Sequence, residues 1–365
     1  MGHVRLRRSL TVVVAPLLVV ALAVGAGSWA SGRAPDARSS LAQALDALPR
    51  DTIVAGFTDW SSVRSRLGVG SASSAAGRAS IEDAGSLRDL TTRSVLGGIV
   101  EDMHDAYGWS AADLDWEAYG RATAGAAMVA RVSGRVSLDD VEDRLAELGY
   151  TRRDGVWSIG AENGASLTPE LASTLAHVAV DRDRRLVVAT DRAGYAADVL
   201  ATIHGDAPSA LSDRPLADVA EALAGSDSAV VQGRAFGCRA TSLTDADPTL
   251  RAQADAAVAR AGSLTSPAFT GRGLVDGRRA QTIRFVSAFG SPSEAARQLA
   301  VRSALTTGPF IGRTGRVEDT LDLLDATADG TVTTLRFAVD PEKAAYMSGE
   351  GPLLFAGCPL GAATG

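Results

Sequence analysis

The side chains able to do chemistry are sparse, and few stand at spacings that chemistry uses. The four histidines are His3, His104, His177 and His204. None has a second histidine four residues on, so the helical zinc pair is absent. His104-Asp105 sets an imidazole beside a carboxylate, the arrangement of a general base. At the end of a helix the same imidazole serves the helix dipole instead, and that structural role is the expectation. Acids pair at Asp113/Asp115, Asp181/Asp183 and Asp245/Asp247. A calcium loop needs several further oxygen ligands and a glycine at its sixth position. Ala118 and Leu250 occupy that position after Asp113 and Asp245, and Asp325–Gly330 fails at Thr327 and Arg336. No Gly-x-Ser-x-Gly elbow is present, and Lys343, the single lysine, follows Asp340 at the spacing that a Ser-x-x-Lys pair would need. No glycine-rich phosphate loop joins a strand to a helix. These absences predict no catalytic, cofactor-binding or metal-binding residues and no cofactor. A hydrolase needs only two well-placed carboxylates, so with 43 acids an extracellular carboxylate-dependent hydrolase stands as the alternative to a non-enzymatic protein.

Two further groups draw attention. Tyr107, Trp109, Trp116 and Tyr119 concentrate aromatics in a chain with only 5% of them. Exposed, they form a platform for carbohydrate or peptide; buried, they join helices to a sheet. Cys238 and Cys358 are the only cysteines. An even count in an exported chain predicts a disulfide between them, pinning the C-terminal tail to the strand that opens the second half of the chain.

Export itself is read from residues 1–30. Arg5, Arg7 and Arg8 precede an uncharged apolar run from Leu10 to Ala26, the pattern of a signal peptide or membrane anchor. Either it is retained, with an extracytoplasmic C-terminal domain, or it is cleaved near Ala30 and the protein is secreted. The formal net charge of −7 becomes more negative without that segment, which holds three arginines and no acid. Such a surface repels nucleic acid. Arg182, Arg184 and Arg185 are interleaved with Asp181 and Asp183, so they read as a solvated hairpin tip.

The elements that must position these groups are those of an α+β protein. Residues 31–50 form a tether and short helix, 51–205 a first α+β half, 206–228 a connecting segment and 229–365 a second half. Thr52–Phe57 reads as a buried strand, Trp60–Leu67 as a helix, Gly68–Ser80 as a loop and Leu87–Ala106 as one long helix with Leu87, Leu90, Ile99 and Met103 inward. Ser110 and Asp113 form the capping box of another short helix. A strand over Thr123–Val132 precedes a helix capped at Ser137, then a hairpin turning at Asp154-Gly155. Thr168-Pro169 begins another helix. His177–Thr190 is a second hairpin, and Asp191 caps the helix after it. Strand, capped helix and hairpin then recur at Arg279–Phe289, Ser291-Pro292 and Leu321–Val339, with a short helix from Asp340-Pro341. The order suggests duplicated strand–helix–hairpin modules.

Leu48–Trp60, Tyr107–Trp116 and the helix–hairpin from Asp139 to Gly155 resemble segments of uncharacterised exported or membrane-anchored actinobacterial proteins of unknown function. The resemblance implies an anchored ectodomain and no established activity. Together these readings predict an extracytoplasmic protein of the bacterial cell envelope that binds an envelope partner or a small ligand. Purified protein should therefore carry no stoichiometric zinc and take up no fluorophosphonate label. Elemental analysis and intact mass spectrometry check both, and a positive result in either contradicts the sequence reading.

Overall fold

Runs rich in valine and threonine build strands because β-branched side chains suit a pleated, half-buried surface. In the computed structural model the described residues are 38–69, 74–164, 167–240, 247–277, 280–312, 314–340, 346–347 and 353–359. The membrane-targeting reading of residues 1–30, Asp245 and the helix proposed from Asp340-Pro341 lie wholly or largely outside them. Among the described residues, no helix is long and apolar enough to cross a membrane.

The strands are β1 (Val54–Thr58), β2 (Leu114–Arg121), β3 (Ala126–Val132), β4 (Thr151–Arg153), β5 (Val156–Ser158), β6 (His177–Asp181), β7 (Leu186–Thr190), β8 (Ser228–Gly233), β9 (Phe269–Asp276), β10 (Gln281–Ala288), β11 (Leu321–Asp329) and β12 (Val332–Val339). They form one sheet in the order β11-β12-β10-β9-β8-β1-β2-β3-β7-β6-β5-β4, with neighbours antiparallel throughout. The order mirrors itself about the β1–β8 pair. Outward from β1 run β2, β3, β7 and β6, and outward from β8 run β9, β10, β12 and β11. The first side alone adds the β5–β4 hairpin.

The helices are α1 (Ser40–Asp46), α2 (Trp60–Leu67), α3 (Ala75–Leu87), α4 (Val100–Tyr107), α5 (Leu138–Glu147), α6 (Ala161–Gly164), α7 (Pro169–Thr174), α8 (Ala193–His204), α9 (Arg214–Ala222), α10 (Arg234–Ala240), α11 (Pro248–Ala261) and α12 (Pro292–Ala304). They divide between the two faces of the sheet. Residues of α2, α4, α5, α7 and α12 enter one hydrophobic core; residues of α1, α8 and α9 enter the other. Alternation along β8 supplies both, with Val230 in the first core and Ala229 and Val231 in the second.

Three expectations are corrected. Leu87–Ala106 is not one helix: α3 ends at Leu87, α4 begins at Val100, and Leu87 is 79% exposed. Donors between them bond to side chains instead of a helical ladder. Val95 N–H donates to Glu117 and Leu96 N–H to the Ser94 hydroxyl. Second, part of the proposed loop over Gly68–Ser80 is helical, because Ser74 caps α3 by accepting from Gly77 N. Third, Asp191 does not cap α8, whose N-cap is Arg192; its Oδ1 accepts from Ala126 N and ties two strands' ends together. In addition, 206–228 is more than a connection, since α9 buries Leu216, Val219 and Ala220.

The 88–99 turn lies directly on β1. A Cβ at Gly56 would stand 2.8 Å from the Arg93 carbonyl oxygen, so this close approach requires glycine. The turn is fastened by Glu117 of β2, which is 1% exposed. Its carboxyl accepts from Trp60 Nε1 at 3.0 Å, Val95 N at 2.8 Å and the Ser94 hydroxyl. Burial raises the Glu117 pKa above its ordinary 4.5 despite these donors. A folded-state pKa above the unfolded one gives stability that is fully present below the unfolded value and lost as pH rises through the folded value. Denaturant melts of Glu117→Gln should accordingly lack that loss. Glu117→Ala, which strands three donors, should cost about 3 kcal/mol or more; a change near zero would remove Glu117 from this role.

Candidate functional site

The residues singled out by type are mostly committed to structure. Tyr107, Trp109 and Trp116 are 2%, 3% and 4% exposed, so they are core and not a platform. Trp116 faces the second core, while Tyr107 and Trp109 belong to the first, and half-buried Tyr119 packs against the first. The Tyr107 and Tyr150 hydroxyls meet at 2.7 Å, and Tyr150 donates onward to the Leu175 carbonyl. Burial raises the pKa of both phenols. Asp113 accepts from Ser110 N in the expected capping box. Asp181 accepts from Arg184 and His204, Arg182 pairs with Asp139 and Glu142, and Arg185 donates to the carbonyls of Val132, Ser133 and Val136. His177 Nδ1 meets the Ser158 hydroxyl at 2.8 Å across the β5–β6 pair.

Acids converge at one end of the central strands without forming an open site. Asp227 accepts from the Ser62 hydroxyl, Arg66 Nε and Asp276 N, while Asp276 ion-pairs with Arg88. Asp59 caps α2 through Ser62 N. Burial raises the pKa of Asp59 and Asp276, but Asp227 and Asp276 are only 1% and 5% exposed. A substrate has no access to them, and their bonds account for them as fasteners between β8, β9 and α2.

Among the described residues, two of the open clefts occupy corresponding places in the mirrored topology. Each lies where the helix preceding the second strand of a half meets the segment that follows its third strand. The first, of about 630 Å³, lies between the end of α4 and α5 and is lined by His104, Trp109, Asp113, Arg135, Asp140, Asp143 and Glu147 among others. Arg144 Nε donates to the Ala106 carbonyl and its terminal nitrogen to Glu147, while His104 Nδ1 and Trp109 Nε1 are buried without a partner among the described residues. Asp105, the proposed partner of His104, is not among the lining residues.

The second, of about 440 Å³, is apolar. Ala256, Ala257 and Ala261 of α11 form one wall; Leu305, Phe310, Ile311 and Val317 form another; Leu353, Leu354 and Phe355 of the tail close it. Gln253, Arg260 and Thr307 add a few polar groups. That composition and size are those of a small-molecule site. Asp247 starts α11 by accepting from Thr249 N and Leu250 N, so this acid is a cap and not a metal ligand. Sequence reading missed the cavity because its walls come from three separated segments. The signal present was an alanine-rich helix that buries little: α11 contributes Ala254 alone as a fully buried residue.

No family model matches the chain, and no curated protein matches it. Among solved structures, crystal form I of TP0453 is similar over 83% of this chain and 95% of that one, at 9% sequence identity and a TM-score of 0.41. At that level the likeness carries no argument.

The tail that closes the apolar cavity is tied down beside it. Cys238 and Cys358 stand with Cα atoms 5.2 Å apart, inside bridging range, as the sequence reading expects, but Cys238 lies in α10 and not on a strand. Arg302 of α12 donates to the carbonyls of Phe355 and Gly357, holding the same segment from the other side. Closing so long a loop restricts the unfolded chain and should contribute about 4–5 kcal/mol. Intact mass should rise by two alkyl groups only after reduction, and Cys358→Ser should lower the denaturation midpoint. An unreduced monomer alkylated at both cysteines would show that no bridge forms.

Proposed function

We propose that this chain is a non-enzymatic, extracytoplasmic protein of the bacterial envelope that binds a small apolar ligand in the cavity beneath α11. The cavity carries the reading: about 440 Å³ of space walled by alanine, leucine, isoleucine, valine and phenylalanine side chains, with too few polar groups for acid–base chemistry. Pairing of Cys238 with Cys358 supports an oxidising compartment. The charged and apolar runs of residues 1–30 support delivery there, either on a retained anchor or after cleavage near Ala30. In this reading the two halves are copies of one strand–helix–hairpin module. The mirrored strand order supports this, and the cavity belongs to the second copy.

A carboxylate-dependent hydrolase is the second reading, and the polar cleft favours it by placing Asp113, Asp140, Asp143 and Glu147 along one opening. Turnover of chromogenic glycosides that is lost in Asp140→Asn and Asp143→Asn would select it.

Titration with N-phenyl-1-naphthylamine, a neutral dye that fluoresces in apolar surroundings, tests the first reading. Saturable uptake of one dye per chain is expected. Ala257→Trp, which fills the cavity from α11, should weaken uptake at least tenfold while leaving the far-ultraviolet circular dichroism unchanged. No saturable uptake, or equal affinity in the variant, contradicts it.

A further inference from the structure

The face of the sheet under α10 and α12 carries, besides Arg272 beside Val230 and Phe285, one line of uncharged polar side chains. Cross-strand register sets Gln232 of β8 opposite Thr270 of β9, Thr270 opposite Ser287 of β10, and Ser287 opposite Thr333 of β12. Four polar side chains thus cross four adjacent strands in a row on one face, flanked by Phe285, Leu335 and Phe337 of the core. The Thr333 hydroxyl reaches only the Ser287 carbonyl, at 3.5 Å. The side chains of Gln232, Thr270 and Ser287 make no hydrogen bond among the described residues. Ser287 and Thr333 are buried and Gln232 and Thr270 half-buried, and polar groups at the edge of a core are costly unless something satisfies them.

Arg302 lies over this row. It is 1% exposed, and every hydrogen-bond partner it has is a main-chain carbonyl: Phe355 and Gly357 from one terminal nitrogen, Thr265 from the other. Its Nε has no partner, and the guanidinium lies 5.4 Å from the centre of the Phe289 ring. Among the described residues, no carboxylate pairs with it. Burial lowers its pKa to about 10, which leaves it cationic at neutral pH. Between Arg302 and the row is a void of about 20 Å³ that Arg272, itself 6% exposed, also lines. That is room for roughly one water-sized body. The polar side chains around it are amide, hydroxyl and guanidinium groups, and none of the lining residues is an acid. A buried cation calls for a counter-charge, and here the protein provides donors without one.

We propose that this void is a binding site for a small monovalent inorganic anion of halide size. The anion neutralises Arg302 and accepts hydrogen bonds from the polar row. It thereby couples α12 to β8, β9, β10 and β12. Because Arg302 also holds the Phe355 and Gly357 carbonyls, occupancy stabilises the tail that leads to Cys358.

Thermal melts of the full chain at constant ionic strength test this, with gluconate replaced stepwise by chloride or bromide. The midpoint should rise with halide concentration and level off at saturation, and Thr333→Val should shift the half-saturating concentration several-fold upward. Arg302→Met should lose the dependence if it folds. Wild-type crystals soaked in bromide give a readout independent of any variant: an anomalous peak within hydrogen-bond distance of Arg302 is expected. Equal midpoints in halide and gluconate overturn the proposal. A halide effect unchanged in Thr333→Val with no anomalous peak in the void also overturns it, as a general salt effect above a core water.

Discussion

The antiparallel pairing of β1 with β8 is the contact on which the rest of this structure depends. Each strand is short, each runs straight into a helix, and each begins one side of the sheet. Their register, from Val54 opposite Gln232 to Thr58 opposite Ser228, joins segments far apart in sequence into the middle of one sheet. Long-range pairing of this kind costs loop-closure entropy before it returns any contact. The surroundings supply that return. Phe57, Ala229 and Val231 enter one core, Val230 enters the other, and Gly56 lets the 88–99 turn lie against the strand.

From that centre the two sides diverge in chemistry while repeating in order. On the first side Glu117 gathers Trp60, Ser94 and Val95 around one buried carboxyl, and the cleft between α4 and α5 is polar. On the second side the corresponding opening is walled by alanines and large apolar residues, and the polar groups lie deeper, between the sheet and Arg302. Buried polar groups that are fully partnered specify a single packing. Glu117 is the partnered case. Arg302, with carbonyls on two nitrogens and an Nε without a partner, is the incomplete one.

Much of this was legible in the sequence wherever the signal was local. α2 runs over the expected Trp60–Leu67, and the capped α5, the Asp154-Gly155 turn and both later hairpins also stand where caps, periodicity and turn residues put them. Asp154 and Gly155 both have positive φ, at 49° and 82°, as a tight hairpin needs. What local signals could not show was tertiary. Leu87–Ala106 has helical periodicity, yet the side chains of Glu117 and Ser94 take main-chain donors in its middle. β9 and α9 were passed over because Phe269–Asp276 carries two glycines and an arginine, and Arg214–Ala222 follows a loop rich in small residues. Gly271 and Gly273 are required there: a Cβ on either would press into α9 side chains or Ser226 at 2.8 Å or less. The Cys238–Cys358 pairing was legible from count and compartment. The apolar cavity was not, because no single segment contains it.

Native mass spectrometry of the protein, isolated gently from the envelope fraction of an expressing bacterium, tests most directly whether this fold holds a small apolar molecule under α11. A discrete added mass at up to one equivalent per chain is expected, removed by extraction with organic solvent and missing from Ala257→Trp prepared in parallel. A bare polypeptide mass in the wild type, or an adduct that persists unchanged in Ala257→Trp, would contradict it.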